Sequence, residues 1–219
     1  LGVVAVVAVI VQGVLGGLRV VLLERTLAIV HAAAAQAFFV LIMGVVYFTS
    51  QEGREQVRKI PASDTTRLRG LALLTMGCLY VQMILGAVLR HTGSGIGAHL
   101  FFAALVTVLV LSLAGYVLRN HARQQKLVRP MILLGGLLFL QLVLGVASYL
   151  VKFTPHAVSL SSLGVVALTT THVAMGALML ATSLVFTLRV YRMVVPWTAV
   201  IAQEIVPAHP ASRSEEAPA

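Results

Sequence analysis

Six stretches of about twenty apolar residues, joined by short polar connections, constrain this chain more than any other feature. They fall at roughly 1–22, 27–49, 71–89, 98–118, 131–151 and 164–188. A helix needs about 20 such residues to cross the hydrocarbon core of a bilayer. Inside lipid every backbone polar group must be satisfied within the element, which leaves helices and closed barrels. These runs are continuously apolar and do not alternate, so they read as helices and not barrel strands. The expected fold class is all-α, a polytopic membrane helical bundle with six transmembrane helices. Composition agrees. Of 219 residues, 59% are hydrophobic and 11% charged, where a soluble domain carries about 25% charged.

The net charge of +9 would suggest a nucleic-acid partner in a soluble chain. Here the basic residues lie between apolar runs, where they set orientation. The expected partner is the lipid bilayer, with no nucleic acid. Twelve basic residues fall on one side: Arg54, Arg58, Lys59, Arg67, Arg69, Arg119, Arg123, Lys126, Arg129, Arg189, Arg192 and Arg213. Four fall on the other: Arg19, Arg25, Arg90 and Lys152. Both termini are therefore expected in the cytoplasm, with the turns near 24–26, 90–97 and 152–163 facing outward. Cys78 lies alone in an apolar run and reads as a small core residue. The chain opens at Leu1 inside an apolar run, with no basic region or cleavage site of a signal peptide. An upstream segment is expected. The Pro-, Ala-, Ser- and Glu-rich tail from about 203 reads as disordered.

One motif recurs. Gln-x-x-Leu-Gly appears at Gln12-Leu15-Gly16, Gln82-Leu85-Gly86 and Gln141-Leu144-Gly145. Each is followed by a histidine in the next apolar run: His31, His99 and His172. Four residues later comes a small residue: Ala35, Ala103 and Gly176. The charge pattern places all three histidines in the outer half of the membrane. His91 and His156 lie in outer connections, His121 in an inner loop and His209 in the tail.

An ionisable residue inside a membrane is a functional hypothesis by default. One histidine is explained by an interhelical hydrogen bond. Three at equivalent places in a repeat point to metal or haem ligation. Zinc usually takes four ligands, often thiolate or carboxylate. No Asp or Glu lies within the apolar runs, and the one Cys is isolated. A haem iron needs only one or two imidazoles, which facing helices of a bundle can supply. A small residue at His + 4 lies one turn along the same face, giving clearance for a flat ring or for ordinary helix packing.

Three histidines make one pair and leave one over. His99 and His172 belong to the last four helices, a complete bundle. His31 belongs to the first two, half a bundle. Two further helices with one more histidine would complete a second bundle. Arg19 and Arg90, near outer helix ends, are candidate contacts for haem propionates, or else snorkel to the interface. Gln12, Gln82 and Gln141 suit hydrogen bonds between helices.

QGVLGGLRV (12–20) with AIVHAAAAQAFF (28–39) resembles the third and fourth helices of the haem A synthase family. LGAVLRHTGSGIGAHLFFA (85–103) resembles the fifth and sixth, and QLVLGVASYL (141–150) with TTTHVAMGALMLATSL (169–184) the seventh and eighth. The similarity spans roughly 10–192. It implies helices three to eight of an eight-helix protein built as two four-helix halves. Residues 1–49 would be the last two helices of the N-terminal, substrate-haem half. Residues 50–70 would be a cytoplasmic linker, 71–192 the C-terminal half, and 193–219 a cytoplasmic, disordered tail. The resemblance implies an oxidoreductase of the bacterial inner membrane that oxidises a methyl group of haem O to the formyl group of haem A. His99 and His172 would be axial ligands of haem b, with Arg90 near its propionates. His31 and Arg19 would face the substrate haem O. A haem O synthase upstream and a terminal oxidase downstream are the implied partners. The family's catalytic acid and its other N-terminal histidine lie in a region absent here, so no catalytic residue is assigned, and this polypeptide alone is expected to be inactive. The alternative is a membrane b-type cytochrome that carries electrons without modifying haem. A transporter built from repeats would need broken helices, and the paired glycines here come without prolines.

Overall fold

In the computed structural model, which describes residues 1–56, 59–154 and 160–196, all six apolar runs are helices long and apolar enough to cross a membrane. The chain is a multi-pass, all-α membrane protein. Helix α1 spans Gly2–Leu22 and α2 Arg25–Thr49, followed by the short α3, Gln51–Arg54. Then come α4 Thr65–Thr92, α5 Ile96–Asn120, α6 Gln125–Phe153 and α7 Ser162–Met193. Several helices run past their apolar cores. Their ends carry Arg67 and Arg69, Arg119, Lys126 and Arg129, and Arg189 and Arg192, whose long stems let charge reach water while the backbone stays helical. The tail expected to be disordered, with His209 and Arg213, lies outside the described residues, as do Arg58 and His156.

Helices α4 to α7 form a four-helix ring: α4 packs on α5, α5 on α6, α6 on α7 and α7 on α4. So α5 and α7 sit on one diagonal, α4 and α6 on the other. Helix α2 packs against α4 and α7, and α1 packs on α2. Tyr80 of α4 donates to the Ala33 carbonyl of α2 at 3.1 Å. The tight α4–α5 turn depends on Gly93 and Gly95, both in the left-handed region (φ +72° and +83°), which costs glycine no Cβ clash.

The ring is packed in one half only. Buried positions are Thr65, Leu68, Ala72, Thr75 and Leu79 on α4, and Val106, Val110, Leu113 and Val117 on α5. Leu127, Met131, Leu134 and Leu138 on α6 continue the seam, with Met179, Ser183, Phe186, Val190 and Met193 on α7. The spacings alternate between three and four, the seam of a bundle with knobs-into-holes packing. In lipid this close packing, not exclusion from water, holds helices together. Beyond Leu79, before Val106, beyond Leu138 and before Gly176, no described residue of the ring is buried. At 1.5 Å rise per residue, the loosely packed half is roughly 15–20 Å deep.

The connection after α2 is ordered at the packed end. Ser50 caps α3, accepting from the Gly53 amide at 3.1 Å. The chain doubles back because residue 53 is glycine: a Cβ there would collide with the Tyr47 carbonyl. Ile60–Pro61 (β1) then pairs in parallel with Val194–Val195 (β2). Glu52 takes two bonds of 2.8 Å from Arg189, and Arg192 donates to the Glu52 and Glu55 carbonyls. The Arg189 hydrogen bond holds the Glu52 carboxyl below its ordinary value of 4.5, outweighing burial, which acts the other way. Because the folded value is depressed, the pair stabilises above pH 4.5 and its contribution is lost as pH falls through the lowered value. Arg189→Met should therefore lower the melting temperature by a few degrees at pH 7 and flatten its fall between pH 5 and 3. Equal acid profiles for the two proteins would remove this pair from the account.

Candidate functional site

The three repeat glycines each meet the histidine of the next helix. A Cβ built on Gly16 would lie 3.3 Å from His31 Cε1. On Gly86 it would lie 3.3 Å from His99 Cε1, and on Gly145 3.3 Å from His172 Cε1. The connections between glycine and histidine differ in length, yet the contact is the same. In each hairpin the imidazole edge lies against bare helix backbone.

The glutamine four residues before each glycine lies on the same helix face. In the second hairpin its role is direct: the Gln82 amide nitrogen is 3.2 Å from His99 Nδ1. The same nitrogen is 3.4 Å from His99 Nε2, so the carboxamide lies along the Cε1 edge of the ring, between its two nitrogens. Such a contact holds the ring's orientation, as the outer partners of ligating histidines do.

His99 and His172 stand on the diagonal helices α5 and α7, near the same end of the ring, and His172 lies within electrostatic reach of His99. Both are half-buried in the loosely packed half. His31 faces α1 through Gly16. Around them, buried polar atoms lack partners: His31 Nδ1, His172 Nδ1, Gln82 Oε1, Gln141 Oε1 and Ser148 Oγ. An unsatisfied buried polar atom costs about 1–3 kcal/mol, and such a cluster signals a bound group or water. Among the described residues no three His, Cys, Asp or Glu side chains converge as a bare ion would require. The diagonal pair offers one imidazole from each of two helices, the donor set that a planar group carrying its own metal needs.

At His172 + 4 the room goes to helix packing, one of the two uses the repeat allowed. A Cβ on Gly176 would meet Met83 Sδ at 2.6 Å and Gln141 Nε2 at 3.3 Å. That space is filled by protein side chains, which form a floor between the packed and loose halves. The clearance for the histidines comes instead from the motif glycines across the hairpin.

Arg19 and Arg90 are exposed, in the last turns of α1 and α4. Both lie within electrostatic reach of His91, so one cationic rim joins two residues that the repeat assigns to different halves. Neither bonds a carboxylate among the described residues. His121 is not a free loop residue. It ends α5, is buried, and its Nε2 lies 3.2 Å from Asp64 Oδ2, which also accepts from Tyr116. Burial alone would raise the Asp64 pKa; the bonds from Tyr116 and His121 outweigh it and hold the carboxyl below its ordinary value. No family model, curated protein or solved structure matches the chain.

Proposed function

We propose that this chain is the haem b-binding part of a haem A synthase, with His99 and His172 as the axial ligands and His31 facing haem O. The observation that carries the reading is the thrice-repeated glycine–histidine contact, two of the three in the loosely packed half of the ring. Helix interiors disfavour glycine by about 0.5–1 kcal/mol against alanine. Three glycines, each where a Cβ would crowd an imidazole at 3.3 Å, leave the histidines room against the neighbouring helix.

The haem supplies one-electron redox chemistry when bound. The protein's part is to hold it. Gln82 orients His99, the motif glycines set how closely each imidazole can lie to its neighbour helix, and Met83 with Gln141 limits the depth of the site. Arg90 at the rim suits an anionic propionate. Held by His99 and His172 together, the haem would supply electron transfer rather than substrate activation. On this reading the loosely packed α1–α2 hairpin belongs to the substrate side, with Arg19 at its rim, and the packed end of the ring faces the cytoplasm of a bacterial inner membrane. A haem O synthase and a terminal oxidase are the implied partners.

The test is a reduced-minus-oxidised optical spectrum of the purified polypeptide, with extracted haems identified by mass. Haem b at about one per chain is expected; a colourless protein from haem-replete cells overturns the reading.

A second reading is the b-type cytochrome that modifies nothing. It needs only the pair that α4–α7 holds, His99 and His172, and gives His31 no role. His31→Ala separates the two. Synthase function predicts normal haem b but at least ~10-fold less haem A in cells, the low end of what an outer-shell loss costs a metal site. Unchanged haem A output removes His31 from the substrate site.

A further inference from the structure

At the packed end of the ring, away from the histidines, lies a cleft of about 570 Å³. That is within the size range of small-ligand sites. It opens where α4 begins and α5 ends, and its lining includes Ser63, Asp64, Tyr116, Arg119, His121 and Arg123. We propose that this cleft binds a phosphate group, carried by an anionic lipid headgroup or by a soluble phosphate.

Three observations carry this. The first is charge. Arg119 and Arg123 line the cleft, and a third guanidinium, Arg67, lies 5.1 Å from the centroid of the lining Tyr116 ring. Asp64 is the one carboxylate in the lining. Its Oδ2 already accepts from Tyr116 and His121. Among the described residues Arg119 and Arg123 make no ion pair or hydrogen bond.

The second is what Asp64 does not do. It occupies the N-cap of α4, where an aspartate usually accepts from its own helix, yet its side chain makes no cap bond. It reaches across to α5 instead, fixing Tyr116 and His121 as one wall of the cleft. That wall is rigid: His121 is 7% exposed, and the adjoining Ala62 amide is tied to the Val195 carbonyl at 2.9 Å.

The third is depth. Thr65 is the first residue of α4 and Asn120 the last of α5, so the cleft lies at the level where spans end and headgroup phosphates lie. Basic pockets between helix ends are suited to lipid phosphates, and guanidinium forks match phosphate oxygens in pairs.

The test uses the whole chain in nanodiscs. Thermal unfolding and retained lipid are measured in phosphatidylcholine discs, in discs containing phosphatidylglycerol, and in phosphatidylcholine discs titrated with inorganic phosphate. The double variant Arg119→Gln/Arg123→Gln is compared with Lys126→Gln/Arg129→Gln, which removes the same charge beside the cleft. The expected result is that phosphatidylglycerol stabilises the native chain and is retained. Its affinity should fall ~10–30-fold in the Arg119/Arg123 variant and little in the Lys126/Arg129 variant. Equal melting in pure phosphatidylcholine shows that the variants fold. Stabilisation by inorganic phosphate that needs the same two arginines supports the site with a soluble ligand as its source. If neither ligand gives a response dependent on Arg119 and Arg123, or if both double variants lose it equally, the proposal is overturned.

Discussion

Replacing His99 or His172 by alanine should strip haem b from the protein while leaving the helical bundle intact. On the proposed haem reading the two sites predict the same spectral loss, because each would supply one of two ligands from opposite corners of the ring. Loss of an outer-shell partner alone costs a metal site ~10–100-fold, so loss of a ligand should reduce occupancy at least that much. The bundle should survive, because its buried seam from Leu68 to Leu79, Val106 to Val117, Leu127 to Leu138 and Met179 to Met193 lies in the other half. The measurement is haem content per chain by optical spectroscopy, with helix content by circular dichroism as control. Normal b-type spectra in both variants would sink the ligand assignment. Loss of haem with loss of helix would show that the two halves are not independent.

The helices were legible because lipid leaves so few options: a run of twenty apolar residues has one backbone solution there. The histidines were legible because they recur after a fixed motif. What makes the motif work was not. Gln82 and Gly86 share a face by spacing alone, but which neighbour they meet depends on how α4 and α5 rotate against each other. Nothing in the spacing between Gly145 and His172 announces a contact matching that of Gly86 with His99. The small residue at His + 4 was legible as room, though not that Met83 fills it. The Asp64–Tyr116–His121 node left no signal, because its partners are 52 and 57 residues apart and no local pattern ties them.

Filling the histidine cradle should mimic loss of the histidine itself. At Gly86 or Gly145 an added Cβ would lie 3.3 Å from the imidazole Cε1, inside the ~3.5–4.0 Å optimum for carbon contacts. Alanine therefore asks for a few tenths of an ångström, and its better helix propensity, about 0.5–1 kcal/mol, offsets part of that strain. Gly86→Ala should keep its haem with a perturbed axial geometry. Leucine cannot be accommodated by so small a shift. It must push the imidazole off the neighbouring helix or part the hairpin, and overpacking of this kind costs about 1–3 kcal/mol. That corresponds to ~5–150-fold in occupancy. Gly86→Leu and Gly145→Leu should each lose haem b on this scale, and Gly16→Leu, on the α1–α2 hairpin, should not. Gly135→Leu is the control, since a Cβ there meets nothing within 4 Å. Haem content and the low-spin electron paramagnetic resonance signal of the four proteins decide the matter. If all four leucine variants retain haem equally, the glycines only pack helices, and the repeated contact has no bearing on a bound ligand. If Gly16→Leu loses haem b along with the other two, the two hairpin sites are coupled, and assigning haem b to α4–α7 alone fails.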